Sequence, residues 1–284
     1  MAAVAVVTDS TSELDPAMQA SYGVDVVPLF VNFGETRYRD TIDLTRDAFY
    51  DKLRDEAVLP TTSQPTSAMF EDVFRRHVEA GRAIVCLTIM SLLSGTINAA
   101  TAAALAFPGA AIHVVDSATV SGGLALQAMH AADLAREGTD AAAILAALAR
   151  DRACERGYAT LPDLSHAVRT GRISRAQAFI GSLVKIVPVL RIDGGRIEEE
   201  ARVRTFARAQ ETMVAAASRD ANAAPGARVC VIHARAAELA AALAARLHER
   251  IVTELRSFDV FEAGPVIGTH TGPGAVGMFV LPAA

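Results

Sequence analysis

Lysine is almost missing from this chain. Only Lys52 and Lys185 are present, so nearly all the basic charge is arginine and Schiff-base chemistry has two candidates. Cysteine is as sparse: Cys86, Cys154 and Cys230 lie far apart. No paired spacing suggests a zinc site or a disulfide framework, and Cys86 and Cys230 sit in apolar runs that read as core. The N-terminus lacks a basic region and turns polar at Thr8, which argues against a signal peptide. No apolar stretch reaches membrane-spanning length. Net charge is −5, which speaks against a nucleic-acid partner. A soluble cytoplasmic protein is the expectation.

Several catalytic signatures are also missing. There is no Walker A sequence and no G-x-S-x-G nucleophile elbow. Gly272–Gly277 matches G-x-G-x-x-G, but a strand-like run and the end of the sequence follow it. A dinucleotide fingerprint must open a helix inside a βαβ unit, so the match is rejected.

What remains is an ordinary globular composition, 51% apolar and 21% charged over 284 residues, enough for a core that can enclose a ligand. Strands are expected at Ala3–Thr8, Val24–Val31, Ala83–Ile89 and Ala111–Val115. Helices are expected over Thr45–Glu56, Pro65–Ala80, from Ser94–Thr96 to about Phe107, and Ser121–Glu137. This alternation implies an α/β fold with a mainly parallel sheet. The pattern changes near Arg152–Gly157. Beyond it come helices over Leu161–Arg169 and Arg175–Leu183, then a hairpin around Asp193-Gly194-Gly195. A helix near Arg204–Arg219, a strand Arg228–His233, a helix Ala236–Arg250 and three short strands complete the reading.

In open α/β sheets, ligands bind beyond the carboxyl ends of the strands. Three such turns are rich in hydroxyls: Thr8–Ser12, Ser91–Thr96 and Asp116–Ser121. Helix N-termini attract anions. Ser94-Gly95-Thr96 makes the fullest offer, because Gly95 lets a ligand approach the backbone and Ser94 can donate. Each hydroxyl equally fits a helix cap. Thr61-Thr62-Ser63-Gln64-Pro65 makes a similar offer, with Pro65 at the first helical position, Ser63 or Gln64 as cap and Thr62 just outside. His270, between Gly268 and Gly272, is expected on a tight loop and can serve a carboxylate. A Ser94–His270 hydrolase is a formal alternative that lacks an acid to orient the histidine.

In order along the chain, Val7-Thr8-Asp9-Ser10-Thr11-Ser12, Arg39-Asp40, Ile42-Asp43, Thr62-Ser63-Gln64-Pro65, Leu93-Ser94-Gly95-Thr96 and Val115-Asp116-Ser117 resemble the motifs of the DegV family. Gly171-Arg172-Ile173-Ser174, Gly181-Ser182-Leu183, Pro188-Val189-Leu190, Val203-Arg204-Thr205 and the His270 segment continue the resemblance over nearly the whole chain. It implies a two-domain fold: a mainly parallel α/β unit over 1–156 and an α/β unit with a mixed or antiparallel sheet over 157–284. A fatty acid would lie between or within them. It also implies that Thr62, Ser94, Gly95, Thr96 and His270 hold the carboxylate, and that Arg172 and Arg204 serve partner docking or phosphoryl transfer. The partner would be a fatty acid kinase catalytic subunit that supplies ATP and metal, leaving this chain a non-catalytic carrier with no cofactor of its own. Its product would be an acyl phosphate. Transient membrane contact for lipid exchange, or a carrier of other apolar carboxylates without a kinase, belongs to the same expectation. After Thr205 the chain reads Phe206-Ala207-Arg208, less basic than the family's usual pattern.

Overall fold

The computed structural model describes residues 3–55, 59–172 and 186–283. The expected helix over Arg175–Leu183 lies outside them, as do Lys185 and the Gly181-Ser182-Leu183 motif.

The first half builds a parallel sheet in the order β2-β1-β6-β7, from β1 (Val4–Asp9), β2 (Val24–Val27), β6 (Ala83–Thr88) and β7 (Ile112–Asp116). β6 is buried along its whole length, as suits a strand covered on both faces. A three-stranded antiparallel sheet, β4-β3-β5, stands beside it, formed by β3 (Phe30–Phe33), β4 (Thr36–Arg39) and β5 (Thr61–Ser63). The single strand expected over Val24–Val31 is therefore two strands in two sheets. Pro28 lies between them and has no N–H to donate to a ladder. The second sheet has six strands in the order β10-β9-β8-β13-β11-β12. Its members are β8 (Arg156–Thr160), β9 (Val187–Asp193), β10 (Arg196–Val203), β11 (Ala227–His233), β12 (Leu255–Glu262) and β13 (Val276–Leu281). All neighbours run antiparallel except β11 and β12.

The helices form layers around these sheets. α1 (Pro16–Tyr22) and α2 (Arg46–Asp55) belong to the first half, with α3 (Ser67–Glu79) and α4 (Thr96–Ala104). α3 and α4 close one face of the parallel sheet through Phe70, Phe74, Ala100 and Ala103. α5 (Gly122–Arg136) lies between the two large sheets and touches β1 on one side and β11 and β13 on the other. Its residues 122–129 are all buried, and Arg228 of β11 donates to Asp133 at 2.5 Å. α6 (Ala141–Cys154) packs beside α5. The sequence reading leaves this alanine-rich stretch unassigned; Asp140 caps it by accepting from the Ala143 amide at 2.8 Å. After the short α7 (Ser165–Arg169), α8 (Phe206–Ala221) and α9 (Ala237–Arg250) cover the outer face of the second sheet.

The end of the chain differs from expectation. Two strands, β12 and β13, flank a helix, α10 (Pro265–Thr271), where three strands were expected. Pro265 starts it and Gly272, at φ 70°, stops it. The α/β architecture with one parallel and one mixed sheet agrees with what the sequence and its family resemblance implied; the three-stranded antiparallel sheet is an addition to it.

Candidate functional site

Because β1, β6 and β7 are parallel, their following turns emerge at one edge of the sheet. The first turn, Asp9–Ser12, faces inward. Asp9 accepts from the Thr11 amide at 3.0 Å, the Thr11 hydroxyl at 2.5 Å and the Ile89 amide at 2.8 Å. Ser10 donates to Asp40 at 2.7 Å and accepts from the Leu29 amide at 3.0 Å. Burial pushes the Asp9 carboxyl up to about 6.

The second turn opens on a cavity. Ser94 Oγ and Thr96 Oγ1 lie 2.8 Å apart, and the Thr96 amide donates to Ser94 Oγ at 3.3 Å. Thr96 is fully buried, so it braces Ser94 from behind. The third turn is tied to the second: Asp116 accepts from the Ser91 amide at 3.2 Å and from the Ala118 amide at 2.9 Å. Ser121, at a positive φ of 54°, lines the same cavity, and its buried hydroxyl has no partner among the described residues.

This cavity has a volume of about 650 Å³ and lies between the strand ends of the parallel sheet and the inner face of the mixed sheet. Thr62, Ser94, Gly95, Arg172 and His270 all line it. So does Gln64, which sequence reasoning treated only as a cap; a Cβ on Gly95 would stand 2.3 Å from Gln64 Oε1. Thr62 lies in β5, held against Val31 of β3, and the α3 helix starts beyond it at Ser67 with Thr66 as its cap. The expected start at Pro65 is thus displaced by the β5 pairing. Arg204 is exposed between β10 and α8 and is not a lining residue. Gln64, Ser91, Leu92 and Arg172 are exposed and mark the mouth. The deeper wall is apolar, with Leu190, Ile192, Ile197, Ile232 and Phe279 from the mixed sheet.

Phe279 is seated by glycines. A Cβ on Gly157 would meet its ring at 2.5 Å, one on Gly122 at 2.9 Å, and one on Gly277 at 3.6 Å. Gly157 is the cross-strand partner of Phe279, so the ring covers a strand position without a side chain.

His270 occupies the last turn of α10, not a loop. Its Nε2 lies 2.9 Å from Thr62 Oγ1 across 208 residues of sequence. Its Nδ1 is buried with no partner among the described residues. Burial drives its pKa down to about 4, helped by the nearby charge of Arg172 and by His166. The ring is therefore neutral at pH 7, with one nitrogen engaged by Thr62 and the other without a partner among the described residues. The Ser94–His270 dyad of the hydrolase alternative is not formed: the Ser94 hydroxyl meets Thr96 and the histidine meets Thr62. Among the described residues, no three His, Cys, Asp or Glu side chains converge to hold a metal. None of the described helices is long and apolar enough to cross a membrane.

Residues 3–283 match the model of the DegV family, a family of uncharacterised proteins. A DegV domain-containing protein of Halalkalibacterium halodurans is 35% identical over 285 residues, covering 98% of each chain. A DegV family protein from Thermus thermophilus, solved for its fatty acid binding, superposes with a TM-score of 0.91 at 35% identity, covering 98% of this chain and 99% of that one. DegV from Bacillus subtilis, solved as a fatty acid binding protein, gives a TM-score of 0.88 at 32% identity over 99% of both chains.

Proposed function

Since the chain belongs to the DegV family, we propose that it buries one long-chain fatty acid and presents the carboxylate to a separate ATP-dependent kinase, which makes the acyl phosphate. The observation that carries this reading is a 650 Å³ cavity, within the usual range for ligand pockets, with a hydroxyl-and-imidazole end and a long apolar wall. Relatives that bind fatty acids support it.

The chemistry of the two ends is complementary to such a ligand. Burying ~14 methylenes is worth roughly 11 kcal/mol gross, before association and ordering costs. An unpaired buried carboxylate is expensive, so it needs several donors. Ser94 and Thr62 offer hydroxyls, and the start of α4 at Gly95 offers an amide and the positive end of a nine-residue helix, with Thr96 behind Ser94. A neutral His270 donates through whichever nitrogen carries the proton, and a bound carboxylate raises its pKa by favouring the charged form. In this reading the 1–156 unit holds the carboxylate together with His270 of the 157–284 unit, which also supplies most of the acyl wall. Arg172 at the mouth, and Arg204 on the surface, face the kinase. ATP and metal belong to the kinase, and this chain is a carrier without a cofactor. It works in the cytoplasm and touches the membrane only to exchange lipid.

Native mass spectrometry of the purified protein tests the first half of the proposal. A co-purified mass of one fatty acid is expected; a ligand-free protein that takes up none from solution overturns it. Adding a fatty acid kinase and ATP tests the second half, with hydroxylamine trapping of the acyl phosphate as readout. Binding without any trapped product would leave a carrier that serves no kinase.

A further inference from the structure

We propose that Glu13 is a positioning residue for His270, acting through the peptide groups that lead into α10. A seven-residue helix does not hold its own place in water, so the location of His270 is decided by what grips α10. Three consecutive residues ahead of it are gripped by the first half of the chain. Arg46 Nε donates to the Glu262 carbonyl at 2.9 Å, Tyr50 Oη donates to the Ala263 carbonyl at 3.0 Å, and the Gly264 amide donates to Glu13 Oε2 at 2.6 Å. Arg46 also donates to the Glu13 carbonyl at 3.1 Å and lies 3.7 Å from its carboxylate. Further along, Gly268 rests on Phe49 and Tyr50 so closely that a Cβ there would stand 2.6 Å from one ring and 2.8 Å from the other's hydroxyl. The helix is thus set down as a rigid piece. His270 lies six residues beyond Gly264, about 9 Å at the helical rise, and its contact with Thr62 is fixed by the grip at the other end.

Two observations single out Glu13 within this grip. It is 2% exposed, a burial that a glutamate rarely accepts without a task. It also sits at φ 64°, a left-handed conformation that favours glycine. The side chain is retained where the backbone would be easier without one. Burial, opposed by Arg46, pushes its carboxyl up to about 8, so the protonated acid predominates at neutral pH. A glutamine is then a close mimic, because its carbonyl can accept the same Gly264 amide.

The inference uses the fatty-acid reading only for its affinity measurement; the titration of His270 stands without it. Ring-nitrogen NMR of the full chain follows that titration directly. In Glu13→Ala the Gly264 amide loses its acceptor, α10 shifts, and His270 leaves its buried seat. Its titration is expected to rise from about 4 toward the ordinary histidine value of about 6.5, with fatty acid affinity about tenfold weaker. Glu13→Gln is expected to restore both, and Glu13→Asp, with a shorter reach, to fall between. Leu247→Ala, in the outer core of the mixed sheet, lowers stability without touching the grip and leaves the titration in place. Should Glu13→Ala fail to fold, Glu13→Asp decides by the same readout. An unmoved His270 titration in the decisive variant, or a Glu13→Gln that behaves like Glu13→Ala, overturns the proposal. If the wild type binds no fatty acid, the function proposed above fails, and the titration still decides the role of Glu13.

Discussion

Two turns at the same edge of the parallel sheet are both rich in hydroxyls and have opposite fates. Asp9–Ser12 and Ser91–Thr96 both follow a buried strand, and both carry hydroxyls ahead of a helical turn. In the first, the chain supplies its own acceptors. Asp9 takes two amides and a hydroxyl, and Asp40 takes Ser10. In the second, Ser94 meets its neighbour Thr96 as its side-chain partner among the described residues and lines the cavity. A hydroxyl-rich strand end keeps its hydroxyls available only where no internal carboxylate takes them.

The largest test of this contrast is Asp9→Ala. It leaves the amides of Thr11 and Ile89 buried and unpaired, at ~1–3 kcal/mol each. A loss of about 3–5 kcal/mol in urea unfolding is expected. Ser94→Ala is expected to change unfolding by less than about 0.5 kcal/mol. A similar cost for both would erase the distinction between the turns.

The affinity measurement runs the other way. Ser94→Ala is expected to weaken fatty acid binding about tenfold, the worth of a hydrogen bond to a charged group. Displacement of a fluorescent fatty acid reads it, and unchanged affinity would remove Ser94 from the carboxylate site.

The pH dependence of stability separates the regions by sign. Around the sealed turn, burial raises Asp9 to about 6, Asp40 to about 7 and Glu13 to about 8. The folded state holds protons that the unfolded chain releases near pH 4, so stability falls as pH rises through that window. His270 is depressed to about 4, so the unfolded chain binds the extra proton and stability falls as pH drops below about 6.5. Relative to wild type, Glu13→Gln should gain stability with rising pH and His270→Asn with falling pH. Parallel pH curves for wild type and either variant would contradict the assignment.

The smallest effect is expected of Gly95→Ala. The new methyl collides with Gln64 Oε1, the far end of a flexible side chain at the mouth. Gln64 swings aside, and affinity should change by about twofold or less. A collapse of binding would mean that the methyl itself bars the carboxylate from the amide at Gly95.

The parallel sheet was legible because its central strands are continuous apolar runs such as Ala83–Leu87, buried on both faces. The three turns were legible because hydroxyls cluster directly after those runs. The contact between Thr62 and His270 was not, since nothing local joins residues 208 positions apart. The helix α10 escaped notice because Gly268, Thr269 and Thr271 are poor helix formers. Its place is set by the Phe49–Tyr50 surface below and the Glu13 acceptor ahead, both supplied from the other end of the sequence. α6 is hard to see because its alanines give little contrast between faces, and the break inside Val24–Val31 is masked because Pro28 stands alone among apolar, strand-forming residues. The apolar wall was invisible as a wall: Ile192, Ile232 and Phe279 look like any core residues until two sheets fail to meet over them.

The seat of Phe279 has a consequence for how such a cavity changes over generations. The ring is backed by residues with no side chains, so a methyl added at Gly157 would press straight into the phenyl group, while one at Gly122 would meet Cys230 Sγ before it reached the ring. Pushed forward, the phenyl would shorten the room for an acyl tail. If the cavity holds a fatty acid as proposed, the length admitted would be adjustable from Gly157, on the far side of the ring, with the Thr62–Ser94–His270 end left as it is.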